Sequence, residues 1–233
     1  MVCSAFLFLP NRTVLHMKNN YSISIFWLSV LAVAVIGYML LSVQNITRAS
    51  FVKNEGIEVS AQTYDDTDII KIGIVNQNNN AWAMKIMCSN IKIRICEYGS
   101  QLCCISSVFQ KFGITINPDT LYDKFESEGL YPKNPDGMIA EVQYEIIDEQ
   151  YKLKYERPDI HTDYTFNSKT IANLVAEGTP VLLRTSHPLI ARYWVVVIGI
   201  ENGEFIIMDP LADDYSTLSE YGNRAFEIIY FTE

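Results

Sequence analysis

An uncharged run of 21 residues, from Ile23 to Val43, constrains the fold of this chain more than any other feature of its sequence. Coiled into an α-helix, the run would be roughly 30 Å long, which matches the hydrocarbon thickness of a bilayer. The apolar core of a secretory signal is usually shorter, about 7–15 residues. The run therefore predicts a transmembrane helix or signal anchor over residues 23–43, with a long cleaved signal peptide as the alternative.

Basic residues flank this run on both sides, Arg12 and Lys18 before it and Arg48 and Lys53 after it. Because basic residues near a span favour its cytoplasmic side, these equal numbers leave the orientation open. We expect a single-pass protein of the cell membrane, held in the membrane by residues 23–43, whose folded domain lies outside the cytoplasm. A secreted domain, released after signal cleavage, is the alternative.

The charge balance after the run excludes one class of partner. Two of the chain's 18 basic residues precede residue 44, whereas all 27 acidic residues follow it. Domains that bind nucleic acid need a basic surface to neutralise phosphates, so we expect no nucleic-acid partner. The five cysteines lack metal-ligand spacing, and nothing in the sequence indicates a metal or an organic cofactor.

The chain divides by composition into a short N-terminal tail (1–22), the apolar run (23–43), a polar linker (44–68) and a folded domain (69–233). In the folded domain, periodicity and turn residues predict helices over 100–113, 117–124, 139–148 and 168–177, a strand or extended loop over 91–95, and strands over 69–75, 180–185, 193–200, 204–208 and 226–231. Asn202-Gly203 is typical of a hairpin turn. Because helices come first and closely connected strands follow, we predict an α+β fold with an antiparallel sheet.

Five segments in order resemble the papain-like cysteine peptidases of the bacteriocin-processing type. They are Val75-Asn76-Gln77 with Trp82, Tyr98-Gly99-Ser100 with a following helix and Phe112-Gly113, Tyr193 to Gly199, Ile206 to Pro210, and Thr217 to Gly222. The resemblance extends over about residues 72–231. It implies a papain-like fold, in which a helix that carries the nucleophile at its N-terminus packs on an antiparallel sheet.

Two positions depart from the pattern of the family. Counted from Phe112-Gly113, the cysteine nucleophile of the family falls on Ser100, and counted from the run of valines, its histidine base falls on Tyr193. Gln77 occupies the position of the oxyanion donor, and Asp209 that of the residue that orients the histidine. The resemblance therefore implies a peptidase frame in which both reactive groups are replaced.

These replacements predict the loss of peptidase chemistry. A serine hydroxyl needs a general base to remove its proton, and a tyrosine, whose ordinary pKa is about 10, is no base at neutral pH. Loss of either member of such a pair typically removes most of the catalysis. We therefore expect a pseudopeptidase that binds a peptide or protein. An active hydrolase with displaced catalytic residues and a structural cell-surface module are the alternatives.

Each of these residues also has a plain structural interpretation. Ser100 is expected to be a helix N-cap, Asp209 to cap a turn before Pro210, and Tyr193 to fill the former histidine site. Gln77 is either a loop hydrogen-bonder or a retained oxyanion donor, and both roles are compatible.

Three further side chains bear on the active-hydrolase alternative and on the state of the thiols. His187, in a hairpin loop, is expected to face solvent, although it could act as a displaced base. Cys103 and Cys104 are expected to be buried small hydrophobes, although Cys104 could act as a displaced nucleophile. Cys88 and Cys96 could close a small disulfide loop, which their spacing alone does not establish.

Overall fold

The computed structural model describes residues 56–87, 92–127, 151–161, 163–190 and 192–233. These ranges lie in Ala49–Glu233, the second of two units into which the chain divides, and the first is Met1–Arg48. The predicted membrane helix over 23–43 and the predicted helix over 139–148 fall outside the described ranges. Within those ranges, no helix combines the length and the apolar character needed to cross a bilayer.

The described strands are β1 (Ile57–Glu58), β2 (Ile86–Met87), β3 (Ile93–Arg94), β4 (Lys154–Glu156), β5 (Val181–Thr185), β6 (Tyr193–Glu201), β7 (Glu204–Met208), β8 (Ser216–Thr217), β9 (Arg224–Ala225) and β10 (Glu227–Thr232). The described helices are α1 (Ile95–Tyr98), α2 (Ser100–Lys111), α3 (Pro118–Ser127), α4 (Tyr164–Ala176) and the 3₁₀ helix Leu218–Tyr221. Mixed helix and sheet is the class that the sequence predicted.

Six strands form one antiparallel sheet in the order β4-β10-β5-β6-β7-β8. β6 is central and long, and its first eight residues are all buried. Helix α2 packs against β6 with every residue from Ser100 to Phe109 buried. This buried helix and the buried strand form much of the main core, and the helix also buries four polar residues, Ser100, Gln101, Ser106 and Ser107.

Helix α2 begins at Ser100, as predicted, and Gly113 follows its end with a positive φ of 72°. The hairpin between β6 and β7 turns at Asn202 and Gly203, which both have positive φ, in agreement with the predicted Asn-Gly turn. Helix α4 begins at Tyr164, four residues earlier than predicted, because the Asp163 side chain caps it by accepting the Thr165 N–H at 2.9 Å.

The predicted strand over 69–75 is wrong, since this segment is extended but forms no strand. Both edges of β6 are already paired, with β5 and with β7. A register shift between Val197 and Gly199 interrupts the β7 pairing, and near it the Ile70 N–H donates to the Ile198 carbonyl at 2.8 Å. The segment therefore docks at an irregularity of β6 and does not extend the sheet.

Candidate functional site

The junction between α1 and α2 places Ser100 at the start of the buried helix. A Cβ on Gly99 would lie 2.5 Å from Ile95 Cγ2 and 2.6 Å from the Ile95 carbonyl oxygen. No larger residue fits there without a shift of Ile95, so glycine permits α1 and α2 to approach closely at their junction. Gly99 is thus a geometric requirement for the position of Ser100.

Ser100 is enclosed, with 2 % of its surface exposed. Its Oγ accepts a hydrogen bond from the backbone N–H of Trp194 on β6, at 3.2 Å. The prediction that Ser100 caps the helix is wrong, because Gly99 occupies the N-cap position and no side chain caps the helix. The hydroxyl instead joins the first turn of α2 to the start of the central strand.

Asp209 lies just after β7 and accepts three hydrogen bonds. Tyr193, the first residue of β6, donates its hydroxyl to Oδ1, and Tyr221 donates its hydroxyl to Oδ2. The Leu211 N–H also donates to Oδ1, at 2.8 Å, as the predicted turn cap requires. Tyr193 therefore bonds the carboxylate that, by the resemblance, would orient a histidine.

Sequence reasoning missed the role of Tyr221. The segment Thr217 to Gly222 resembles the pattern of the family, but the pattern does not indicate which residue Tyr221 contacts. The tyrosine ends the 3₁₀ helix, where Gly222 follows in the left-handed conformation and turns the chain. That turn brings the Tyr221 ring within 5.5 Å of the Tyr193 ring, measured between centroids.

Both tyrosines stay protonated at neutral pH. Burial raises the pKa of Tyr193 far above its ordinary value, and the negative charge of Asp209 raises it further. The pKa of Tyr221 is raised by burial and by its hydrogen bond to Asp209. Neither phenol can therefore accept the proton of a serine hydroxyl.

Gln77 is fully buried and links three parts of the domain. Its backbone N–H donates to the Pro210 carbonyl at 2.8 Å, and its Nε2 donates to the Cys96 carbonyl at 2.7 Å. Its Oε1 has no partner among the described residues. The predicted loop-bonding role is present. The Nε2 amide has two hydrogens, and its bond to the Cys96 carbonyl uses one of them. The role of Gln77 as an oxyanion donor stays a prediction.

His187 contacts the site, contrary to the prediction that it faces solvent. Its ring is half-buried and lies in tilted contact with the rings of Tyr193 and Tyr221, at centroid distances of 4.6 Å and 5.9 Å. Its Nδ1 accepts the backbone N–H groups of Leu189 and Ile190, each at 3.1 Å. Burial lowers the pKa of His187 and outweighs the opposite effect of the Asp209 charge. Sequence spacing could not show this contact, because the loop folds back on β6.

The cysteines of helix α2 are buried, as predicted. Cys103 and Cys104 are both fully inaccessible. Burial raises the thiol pKa of each, and for Cys104 the charges of Cys103 and Asp209 raise it further. Such a thiol forms no thiolate near neutral pH, which removes the basis for a displaced nucleophile at Cys104. Cys96 has a free thiol, whereas Cys88 lies outside the described residues.

A separate open cavity of about 610 Å³ contains none of these side chains. It is lined by residues 66–71, Lys111 and residues 175–178. Within the part of the chain that the structure describes, histidine, cysteine and carboxylate side chains form no group of three that could hold a metal ion.

The sequence model of the peptidase C39-like family matches residues 69–232. Among solved structures, a crystal structure described as a C39-like peptidase from Bacillus anthracis matches with 12% sequence identity and a TM-score of 0.45. That match covers 72% of this chain and 98% of the other. No curated protein matches the chain significantly.

Proposed function

The chain belongs to the C39-like peptidase family, and on that premise we propose that it is a pseudopeptidase: a membrane-anchored domain outside the cytoplasm that binds a peptide or protein without cutting it. One observation carries the proposal. The side chain at the base position, Tyr193, is a protonated phenol that donates a hydrogen bond to Asp209 and cannot receive a proton from Ser100.

The nucleophile position supports the same interpretation. Ser100 Oγ is nearly inaccessible and accepts an N–H from the neighbouring strand. A serine attacks a carbonyl only when a base removes its proton as the new bond forms. Among the described residues no imidazole bonds Ser100, and a protonated phenol lies beside Asp209, so the frame retains its architecture without the acid–base pair.

Large exposed apolar side chains flank the site in sequence and support peptide binding. Tyr98, two residues before Ser100, is 41% exposed, and Leu189, two residues after His187, is 69% exposed. Apolar side chains of a peptide could pack on them, while the main chain of the peptide pairs with exposed backbone. Binding therefore needs no reactive group at Ser100.

The position of His187 supports a second candidate function, a hydrolase with displaced catalytic residues. Its ring lies against Tyr193, so an imidazole is present at the site. However, Nδ1 is occupied by two amide donors, and in the neutral ring Nε2 then carries the proton. His187 would have to leave these bonds to act as a base for Ser100.

The test is binding and cleavage on one peptide array, with the full chain purified in a mild detergent. The proposal predicts capture of peptides that mass spectrometry finds intact. Replacing both Tyr98 and Leu189 with serine should remove capture, whereas serine at Tyr164 and Phe166, which are similarly exposed, should leave it unchanged. Cut peptides would favour the displaced hydrolase. If no peptide is captured, or if capture does not depend on Tyr98 and Leu189, the result would favour a structural module.

The structural-module alternative makes a separate prediction for two buried side chains. If the cleft is vestigial, substitutions at Gln77 and Asp209 change the free energy of unfolding and nothing else. If the site binds peptides, alanine at Gln77 also weakens capture, measured on protein that circular dichroism shows to be folded. The two outcomes separate binding from scaffolding.

The membrane anchor and the location outside the cytoplasm are proposed from the sequence alone. A protease added to intact cells should cleave the folded domain, and deletion of residues 23–43 should move the chain out of the membrane fraction. A domain protected in intact cells would contradict the orientation.

A further inference from the structure

The turn over residues 187–190 places the His187 ring against Tyr193, on one wall of the site. Tyr193 is fully buried, and the His187 ring lies against it. The same ring lies close to Tyr221, the second donor to Asp209. A peptide that contacts Tyr193 from the His187 side would have to displace this ring. Because the inference concerns access to that site, it rests on the proposed function.

The closed turn is held by an arrangement that only a neutral histidine can form. Nδ1 of His187 faces two donors, the backbone N–H groups of Leu189 and Ile190, both at 3.1 Å. Nδ1 therefore has to carry its lone pair, with the proton on Nε2. In an imidazolium both ring nitrogens carry a proton, so Nδ1–H would point at two other N–H groups. Protonation and the closed turn exclude each other.

We propose that the His187 turn is a pH-dependent latch: neutral His187 closes the wall of the site over Tyr193, and protonation releases residues 187–190 and opens the site to a peptide. The proposal rests on the geometry of the two hydrogen bonds that the Leu189 and Ile190 N–H groups donate to Nδ1 of His187.

The surroundings of His187 have opposing effects on its pKa. On β6 and on the 3₁₀ helix, the rings of Tyr193 and Tyr221 stack on the imidazole, and after β7 the carboxylate of Asp209 attracts an imidazolium. Burial opposes the charged form and is the larger effect, so the pKa of His187 lies below its ordinary value. The latch therefore opens on acidification and stays closed at neutral pH.

The first test is hydrogen exchange at the amides of Leu189 and Ile190 in the full chain, normalised to the intrinsic exchange rate at each pH. The protection of these two amides should fall about tenfold between pH 8 and pH 5.5, because a released imidazole with the ordinary histidine pKa of about 6.5 is about ten times more often protonated than neutral at pH 5.5. In His187→Asn, the amide oxygen takes the place of Nδ1 as an acceptor that does not titrate, so the protection should not depend on pH. His161→Asn, a matched change at a histidine stacked on Phe166, should behave as the natural chain does.

A second readout separates the latch from the proposed function. Peptides captured by the natural chain should bind about tenfold more tightly at pH 5.5 than at pH 8, and His187→Asn should abolish that difference. Protection that does not depend on pH in the natural chain, or an unchanged pH dependence in His187→Asn, would overturn the latch. If protection falls as expected while no peptide binds at any pH, the latch stands and the proposed function fails.

Discussion

The sheet side and the helix side of the site differ in how their polar groups are used. On the sheet side, the Asp209 carboxylate accepts three hydrogen bonds, from the hydroxyls of Tyr193 and Tyr221 and from the Leu211 N–H. On the helix side, Ser100 makes one bond to Trp194 N–H, and Gln77 Oε1 has no partner among the described residues. The sheet-side bonds meet on one carboxylate and form a connected polar network, whereas the bonds of Ser100 and Gln77 go to separate backbone groups. The two sides therefore differ in how strongly their polar side chains depend on one another.

The largest expected effect is on the sheet side. Asp209→Ala should lower the free energy of unfolding by about 3 kcal/mol or more, because one buried hydroxyl, one partly buried hydroxyl and one N–H lose their acceptor together. Urea denaturation followed by circular dichroism measures the change. Asp209→Asn, which retains one acceptor oxygen, is the control and should cost less. Equal stability of the alanine variant and the natural chain would show that the network contributes nothing.

Next in size is the loss of one donor to the same carboxylate. Tyr193→Phe should cost about 1–2 kcal/mol, since it leaves Oδ1 of a buried Asp209 with only the Leu211 N–H. Tyr221→Phe should cost less, because Tyr221 is only partly buried. The double variant should depart from additivity, since both hydroxyls share one acceptor group. Strict additivity of the three unfolding free energies would refute a coupled network.

The helix side should respond more weakly. Ser100→Ala should cost about 1 kcal/mol, because the Trp194 N–H loses its acceptor while the rest of the helix is unchanged. Ser106→Ala on the same helix is a matched control: its Oγ is buried without a partner among the described residues, so its removal should cost nothing. If both serine variants lose the same free energy of unfolding, the hydrogen bond from Trp194 N–H to Ser100 contributes no measurable stability.

The smallest effect is a change in the pH dependence of stability. Since the folded state lowers the pKa of His187, the unfolded chain binds more protons as the pH falls through about 6.5. The contribution of His187 is therefore complete above pH 6.5 and lost below it. His187→Asn should flatten the fall in melting temperature between pH 7.5 and pH 5.5. A parallel fall in the variant and the natural chain would exclude His187 as the source.

Local patterns predicted the framework well. Helix α2 and strand β7 begin where their sequences indicate, because apolar periodicity, Gly113 and the Asn202-Gly203 turn act within a few residues. Counting along the family pattern also placed Ser100 and Asp209 at elements that the fold brings together. The predicted starts of α2 and β7 are confirmed because each depends on chain geometry within one element.

The contacts that decide the chemistry depend on tertiary structure and were not visible. His187 stacks on Tyr193 only because the loop between β5 and β6 folds back, and Tyr221 reaches Asp209 only through the turn at Gly222. The false strand over 69–75 has a similar cause. An alternating pattern does not reveal whether the neighbouring strand has an edge left to pair.

The most direct measurement of the central claim is cleavage of a mixed peptide library, with products identified by mass spectrometry. The full natural chain, Ser100→Cys, Tyr193→His and the double variant would be compared at pH 7.5 and at pH 5.5, where the His187 turn is expected to be released. A thiol at the helix N-terminus and an imidazole bonded to Asp209 form the missing pair, so we predict cleavage by the double variant and none by the natural chain or either single variant. Cleavage by the natural chain would contradict the account and would show that a base other than Tyr193 serves the site.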